Sequence, residues 1–85
     1  MVNFKLFLSP RQCEAARGWL RWTRADLSKA STIAESTIAR FEAGSFVMID
    51  RTLRDIQQAF ENEGLEFIFE DRKGVGVKIR KHPQV

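Results

Sequence analysis

The stretch STIAESTIARFEAG, residues 31–44, holds the side chains whose spacing indicates a specific chemistry. Ile38 and Phe41 recur at the interval of one helical face, so a short helix is predicted with these residues turned inward. This spacing is typical of helices that read base edges in the major groove of DNA. At its exposed start, where long hydrogen-bonding side chains would be expected, the stretch has Ala34, Glu35, Ser36 and Thr37.

The composition gives little support to catalysis. The chain has one cysteine, Cys13, and one histidine, His82, so it can form no internal disulfide, and a zinc site is not expected. No nucleophile, base and orienting group occur at a sensible spacing, and there is no phosphate-binding loop motif. We therefore expect a protein that is not an enzyme and that uses no metal, cofactor or small-molecule substrate.

The size and charge of the chain indicate one small globular domain spanning 1–85. Its net charge of +3 permits a polyanionic partner without requiring one. No apolar run is long enough to span a bilayer, and the start MVNFKLFLSP lacks the features of a signal peptide. A soluble, cytoplasmic protein with no membrane partner is expected.

The elements that must position these side chains follow from cap signals and apolar periodicity. These signals predict helices over about 9–20, 23–30, 34–43 and 50–63, then a β-hairpin over about 65–80. Ser9 before Pro10 is a helix start, and Thr23 with Asp26 is a variant of the capping box. Asp50 is expected to cap the fourth helix. In the second helix, Leu27 and Ala30 are the candidates for burial.

Two longer stretches carry a family resemblance. QCEAARGWLRWTRADLSKASTIAESTIARFEAG, residues 12–44, resembles the phage-repressor class (XRE/Cro-C1) of helix-turn-helix regulators. RTLRDIQQAFENEGLEFIFEDRKGVGVKIRK, residues 51–81, is similar to the small single-domain bacterial members that end in a hairpin. The resemblance implies a mainly α, lambda-repressor-like fold of four helices with a C-terminal β-hairpin. It also implies a transcriptional regulator that binds palindromic double-stranded DNA as a homodimer.

The resemblance further implies roles for individual residues. Phosphate contacts are expected from Thr23, Arg24 and Arg51. Base edges would be read from the exposed side of the third helix, by Glu35, Ser36, Thr37 and Arg40. Three interpretations of Glu35 stay open: a solvated acid favoured by the helix dipole, an acceptor for cytosine N4, or a contact to another protein.

Other positions matched by the resemblance concern the framework. Arg17 and Glu42 are expected to form an ion pair between the first helix and the end of the third. Arg21 and Thr32 stand where glycines are common, and can fill left-handed positions at a cost of about 1–2 kcal/mol each. Ala34 replaces the usual Ser or Thr, so the third helix loses a side-chain cap, which costs about 1 kcal/mol.

Several apolar residues leave two interpretations open. The connection before the fourth helix contains Phe46, Val47, Met48 and Ile49. These residues either pack into the core or form a contact surface for a second copy or another protein. The extended stretch NFKLFL, residues 3–8, either adds a third strand to the hairpin or pairs across a dimer. Trp19 and Trp22 are expected in the core or at its boundary.

A second function remains possible on the same residues. The chain could be a protein-binding adaptor or anti-activator that keeps the helix-turn-helix fold without reading DNA. The uncapped Ala34, the acidic Glu35 and the apolar connection favour this alternative. Arg24, Arg40 and the net positive charge favour DNA binding.

Overall fold

The computed structural model describes residues 6–45 and 48–80. In this part of the chain, four α-helices precede two antiparallel strands. The elements are α1 (Pro10–Leu20), α2 (Arg24–Ser31), α3 (Glu35–Glu42), α4 (Asp50–Glu61), β1 (Leu65–Glu70) and β2 (Lys73–Ile79). The predicted order of four helices and a C-terminal hairpin is confirmed.

No third strand is added to the hairpin by the described part of the stretch 3–8. Residues 3–5 lie outside the described residues, and residues 6–9 belong to no strand. The sheet formed by the described residues contains β1 and β2 alone. Among the described helices, none is both long and apolar enough to cross a membrane.

The starts of α1 and α2 are fixed by reciprocal side-chain caps. The Ser9 hydroxyl accepts a hydrogen bond from the backbone N–H of Gln12 at 3.2 Å. In return, the side-chain oxygen Oε1 of Gln12 accepts one from the backbone N–H of Ser9 at 2.8 Å. In α2, the Thr23 hydroxyl accepts from the Asp26 amide and Asp26 accepts from the Thr23 amide. Both predicted starts are confirmed, since each cap satisfies amides that a helix leaves unpaired.

Two local predictions about the helices are wrong. Asp50 is the first residue of α4 and does not cap it; Ile49 is the capping residue and makes no side-chain cap bond. The Asp50 carboxylate is still suitably placed for the positive end of the helix dipole. In α2, Ala30 is exposed and Ser31 is buried, because the inward face follows the four-residue interval from Leu27.

The core lies between the helices and one face of the hairpin. Its buried apolar residues are Leu8, Cys13, Ala16, Leu27, Ile38, Phe41, Met48, Ile56, Ala59, Phe60, Leu65 and Phe67. Phe60 is fully buried and stacks on Trp22 with ring centroids 5.7 Å apart. Trp22 therefore occupies the predicted boundary position. Trp19 does not: it is 60% exposed, on the side of α1 that approaches β2.

The hairpin combines a tight turn with an irregular register. Asp71 and Arg72 form a two-residue turn in which both φ angles are positive, as type I′ hairpin turns require. Glu66 lies opposite Lys78, and their charged groups are 4.0 Å apart, so an acidic residue of β1 faces a basic residue of β2. The register shifts after Ile68, which leaves Val75 as the extra residue of a β-bulge.

Gln12 fastens α1 to the hairpin at this bulge. Its Nε2 donates hydrogen bonds to the carbonyl oxygens of Ile68 at 2.9 Å and Gly76 at 2.8 Å, one on each strand. The same side chain closes the α1 cap through Ser9 and is almost fully buried. Gly74 lies directly against it, and a Cβ atom at this position would overlap Gln12 Oε1.

We expect Gly74→Ala to destabilise the protein by about 1–3 kcal/mol, because the methyl group would displace Gln12 from bonds that are buried. Urea denaturation measures the change in the free energy of unfolding. Gly76→Ala is the matched control: its Cβ would meet only Ile68 Cδ1, at 3.7 Å, an ordinary contact. Equal effects of the two substitutions would contradict the role given to Gln12.

Candidate functional site

The candidate site is built on α2 and α3, which are joined by residues 32–34. Thr32 closes α2 in a left-handed conformation, with φ 63°, and its amide donates to the Ser28 carbonyl. Leu27 and Ile38 are fully buried in the shared core. The left-handed conformations expected of Thr32 and of Arg21, which has φ 59° at the end of α1, are both present.

The start of α3 is as weakly capped as the sequence indicates. Ala34 is its capping residue and makes no side-chain hydrogen bond. With only eight residues, α3 is too short to be stable alone, so its buried Ile38 and Phe41 must hold it in place. The packing of these two side chains therefore determines which face of α3 is exposed to solvent.

Three of the four residues expected to read bases lie on this outer face, and the fourth, Glu35, is the first residue of the helix. Glu35, Ser36 and Arg40 are exposed, and Thr37 is half-buried. Arg40 follows Ser36 by four residues and Thr37 by three, so the three side chains share one side of α3. The structure thus brings them together as one polar surface.

The expected phosphate-binding residues lie at the starts of two helices. Thr23 and Arg24 begin α2, and Arg51 is an exposed residue in the first turn of α4. The Thr23 hydroxyl accepts a hydrogen bond within its cap and retains its proton for donation. Arg24 has an additional partner that the sequence did not indicate, described next.

A buried carboxylate, Glu42, joins α1, α2 and α3. Arg17 forms a bidentate ion pair with it, from Nε to Oε2 at 2.7 Å and from Nη2 to Oε1 at 2.8 Å. Arg24 Nε donates to Oε1 at 2.9 Å, and the Cys13 thiol donates to Oε2 at 3.1 Å. We call these four residues the Glu42 cluster. The ion pair that the resemblance implied for Arg17 and Glu42 is present.

Sequence reasoning missed the other two members of the Glu42 cluster. Arg24 was expected only as a phosphate contact, and no partner was predicted for Cys13. Part of the signal was available, since Cys13 and Arg17 are four residues apart on one face of α1. The reach of Arg24 to the end of α3 depends on how two helices pack, which spacing along the chain does not reveal.

Burial and hydrogen bonding oppose each other at Glu42. Burial raises the pKa of its carboxyl, but hydrogen bonds from Arg17, Cys13 and Arg24 outweigh burial and bring that pKa below the ordinary 4.5. Burial, together with the hydrogen bond to Glu42, raises the pKa of the Cys13 thiol, so this residue stays a neutral donor. Two arginines and one carboxylate leave the cluster with one net positive charge.

The apolar connection before α4 divides between the two interpretations left open. Met48, one of the proposed interface residues, is buried among the apolar side chains of the core. It is therefore not available to a partner, and this part of the prediction is wrong. Ile49 is 69% exposed. Phe46 and Val47, the other proposed interface residues, lie outside the described residues.

An apolar groove lies elsewhere on the surface. Exposed Trp19 and residues at the base of the hairpin enclose about 250 Å³. The remaining lining residues are Leu65, Val77, Lys78 and Ile79. This groove was not predicted, because it forms where α1 passes the hairpin, two elements that are distant along the chain.

No protein-family model matches the chain, and no curated protein sequence matches it either. Within residues 6–45 and 48–80, no group of three or more His, Cys, Asp or Glu side chains could hold a metal ion.

We expect Glu42→Gln to lower the free energy of unfolding by about 2–4 kcal/mol at pH 7, since it leaves Arg17, only 19% exposed, without its counter-charge. The carboxylate stabilises the fold fully above its unfolded-state pKa, near 4.5, and this stabilisation is lost as the pH falls through the lower folded-state value. The difference between the wild type and the variant should therefore shrink in acid. Urea denaturation at pH 7 and pH 3 measures it.

The control is Glu66→Gln, which removes an exposed carboxylate from its pair with Lys78. Its effect should stay below about 1 kcal/mol at both pH values. A Glu42→Gln difference that is the same at pH 7 and pH 3 would contradict the assigned role of the charge.

Proposed function

We propose that this chain is a sequence-specific, double-stranded-DNA-binding transcriptional regulator, in which α2 and α3 form a helix-turn-helix of the phage-repressor class. The observation that carries the proposal is the polar outer face of α3, which bears Ser36, Thr37 and Arg40 beside the exposed first residue, Glu35, and is held in place by buried residues of the same helix. A helix presented in this way can enter the major groove.

The proposed contacts divide between the DNA backbone and the bases. Thr23, Arg24 and Arg51 bind phosphates and fix the position of the protein on the duplex. Base edges are read by Glu35, Ser36, Thr37 and Arg40. Arg40 can bind guanine through O6 and N7, and Glu35 can accept a hydrogen bond from cytosine N4.

The proposed regulator acts as a homodimer. A twofold dimer places its two reading helices on half-sites about 34 Å apart, which is one turn of DNA. A palindromic site follows, because the symmetry of the DNA then matches that of the protein.

A second candidate function is a protein-binding adaptor with the same fold. Two observations favour it: the exposed Ile49 and the apolar groove beside Trp19, both of which could contact another protein. The acidic Glu35 on α3 also disfavours contact with phosphates. This candidate predicts no preferred DNA sequence.

Selection of binding sites from random duplex DNA, at two salt concentrations, separates the two functions. A regulator enriches a palindromic site, and its affinity falls steeply as salt rises, since phosphate contacts release counterions. An adaptor enriches no site and retains only weak, salt-sensitive binding. The second outcome would contradict the proposed function.

Once a site is known, two substitutions test the division of roles. Arg40→Ala should relax base preference at one position, with a loss of about 1–3 kcal/mol of discrimination there. Arg24→Ala should weaken binding to all duplexes similarly and reduce the salt slope by about one. Titration of a panel of single-base variants measures both effects. An equal loss on every duplex from Arg40→Ala would refute its base-reading role.

A further inference from the structure

The guanidinium of Arg24 is held at one nitrogen and exposed at the others. Its Nε donates to Glu42 Oε1 at 2.9 Å, and the Glu42 side chain has no exposed surface. The Arg24 side chain is 45% exposed. Within the described residues, its Nη1 and Nη2 donate no hydrogen bond, so they remain available to an incoming oxyanion.

Glu42 itself cannot turn away from this contact. Arg17 bonds both carboxylate oxygens, and Cys13 bonds Oε2, so the orientation of the carboxylate is set by α1. Arg17 Nη1 also donates to the Trp22 carbonyl at 3.0 Å, which ties the chain just before α2 to the same group. The position of Arg24 Nε is thereby fixed relative to three helices.

We propose that Glu42 is a positioning residue, which orients Arg24 so that its two terminal nitrogens bind one DNA phosphate. This inference rests on the proposed function, and it adds that the grip of α2 on the backbone depends on the geometry of one arginine as well as on its charge. A fixed guanidinium loses less rotational freedom on binding than a mobile one, and its planar fork matches two phosphate oxygens.

The same geometry predicts that lysine is a poor replacement for Arg24. A lysine ammonium is a point charge, and the buried Glu42 carboxylate would attract it directly. The donors of one ammonium group would then be shared between Glu42 and the phosphate. An arginine separates the two tasks, with Nε for Glu42 and the terminal nitrogens for the phosphate.

The test compares Arg24→Lys with Arg51→Lys on the enriched duplex over a range of salt concentrations. Arg51 is an exposed, proposed phosphate contact that is not bonded to Glu42, so it is the matched control. We expect Arg24→Lys to weaken binding about tenfold, the usual effect of losing one well-placed charged hydrogen bond. Arg51→Lys should change binding by no more than about twofold, since lysine also binds phosphate as a point charge.

The salt dependence distinguishes geometry from charge. Arg24→Lys keeps the charge, so the slope of log affinity against log salt should equal that of the wild type, while Arg24→Ala should reduce it by about 0.9. Thermal unfolding of Arg24→Lys should stay near that of the wild type, because lysine keeps a positive charge beside Glu42 and the bonds of Arg17 and Cys13 to that carboxylate are unchanged.

Each remaining outcome overturns the inference. Wild-type affinity in Arg24→Lys, or equal losses in Arg24→Lys and Arg51→Lys, would remove the role of Glu42 in positioning while the proposed function stands. A wild-type chain that enriches no duplex would remove the proposed function and this inference together.

Discussion

The buried carboxylate of Glu42 is the interaction on which the helical part of the structure depends. It accepts hydrogen bonds from the thiol of Cys13 and from the guanidinium groups of Arg17 and Arg24. A buried ion pair repays its desolvation only where its remaining hydrogen-bonding capacity is satisfied. Both oxygens of Glu42 meet this condition, and none of the buried side-chain polar atoms in the described residues lacks a partner. The Glu42 cluster thus connects α1, α2 and α3 through hydrogen bonds to one carboxylate.

The Glu42 cluster stabilises α3, which its own sequence stabilises only weakly. The helix is short and starts without a side-chain cap, and its last residue is Glu42. It is therefore held in place by the burial of Ile38 and Phe41. Its end is held by hydrogen bonds from Arg17 and Arg24, which belong to α1 and α2. A surface that must present hydrogen-bonding groups to a rigid partner benefits from such support, because each rotation lost before binding is not lost on binding.

The sequence predicts the parts of the structure that depend on neighbours along the chain. Helix starts at Ser9 and Thr23, and the charge pairing of Glu66 with Lys78, follow from local hydrogen bonding and strand alternation. Predictions were wrong where a side chain has alternatives that differ only in tertiary packing. Asp50 could cap a helix or begin it, and Trp19 could turn into the core or remain on the surface.

The candidate site shows the same limit. The placing of Ser36, Thr37 and Arg40 on one face follows from helical periodicity, whereas Glu35 is exposed because it begins the helix. The ion pair of Arg17 with Glu42 required the family resemblance, because the two residues are 25 positions apart and nothing local relates them. The contact of Arg24 with the same carboxylate was beyond both approaches, since a long, flexible side chain can choose among partners that only the packed helices bring near.

Gln12 has a consequence for the order in which the chain can fold. The residue stands in the first turn of α1, yet one of its hydrogen-bond acceptors, the Gly76 carbonyl, is 64 positions further on. During synthesis, α1 is made first. The buried side-chain amide of Gln12 has no strand partner until the hairpin has been made. Contacts of such long sequence separation slow folding, because a large loop must close before they stabilise anything. We therefore expect Gln12 to gain its strand partners only when the hairpin docks on α1.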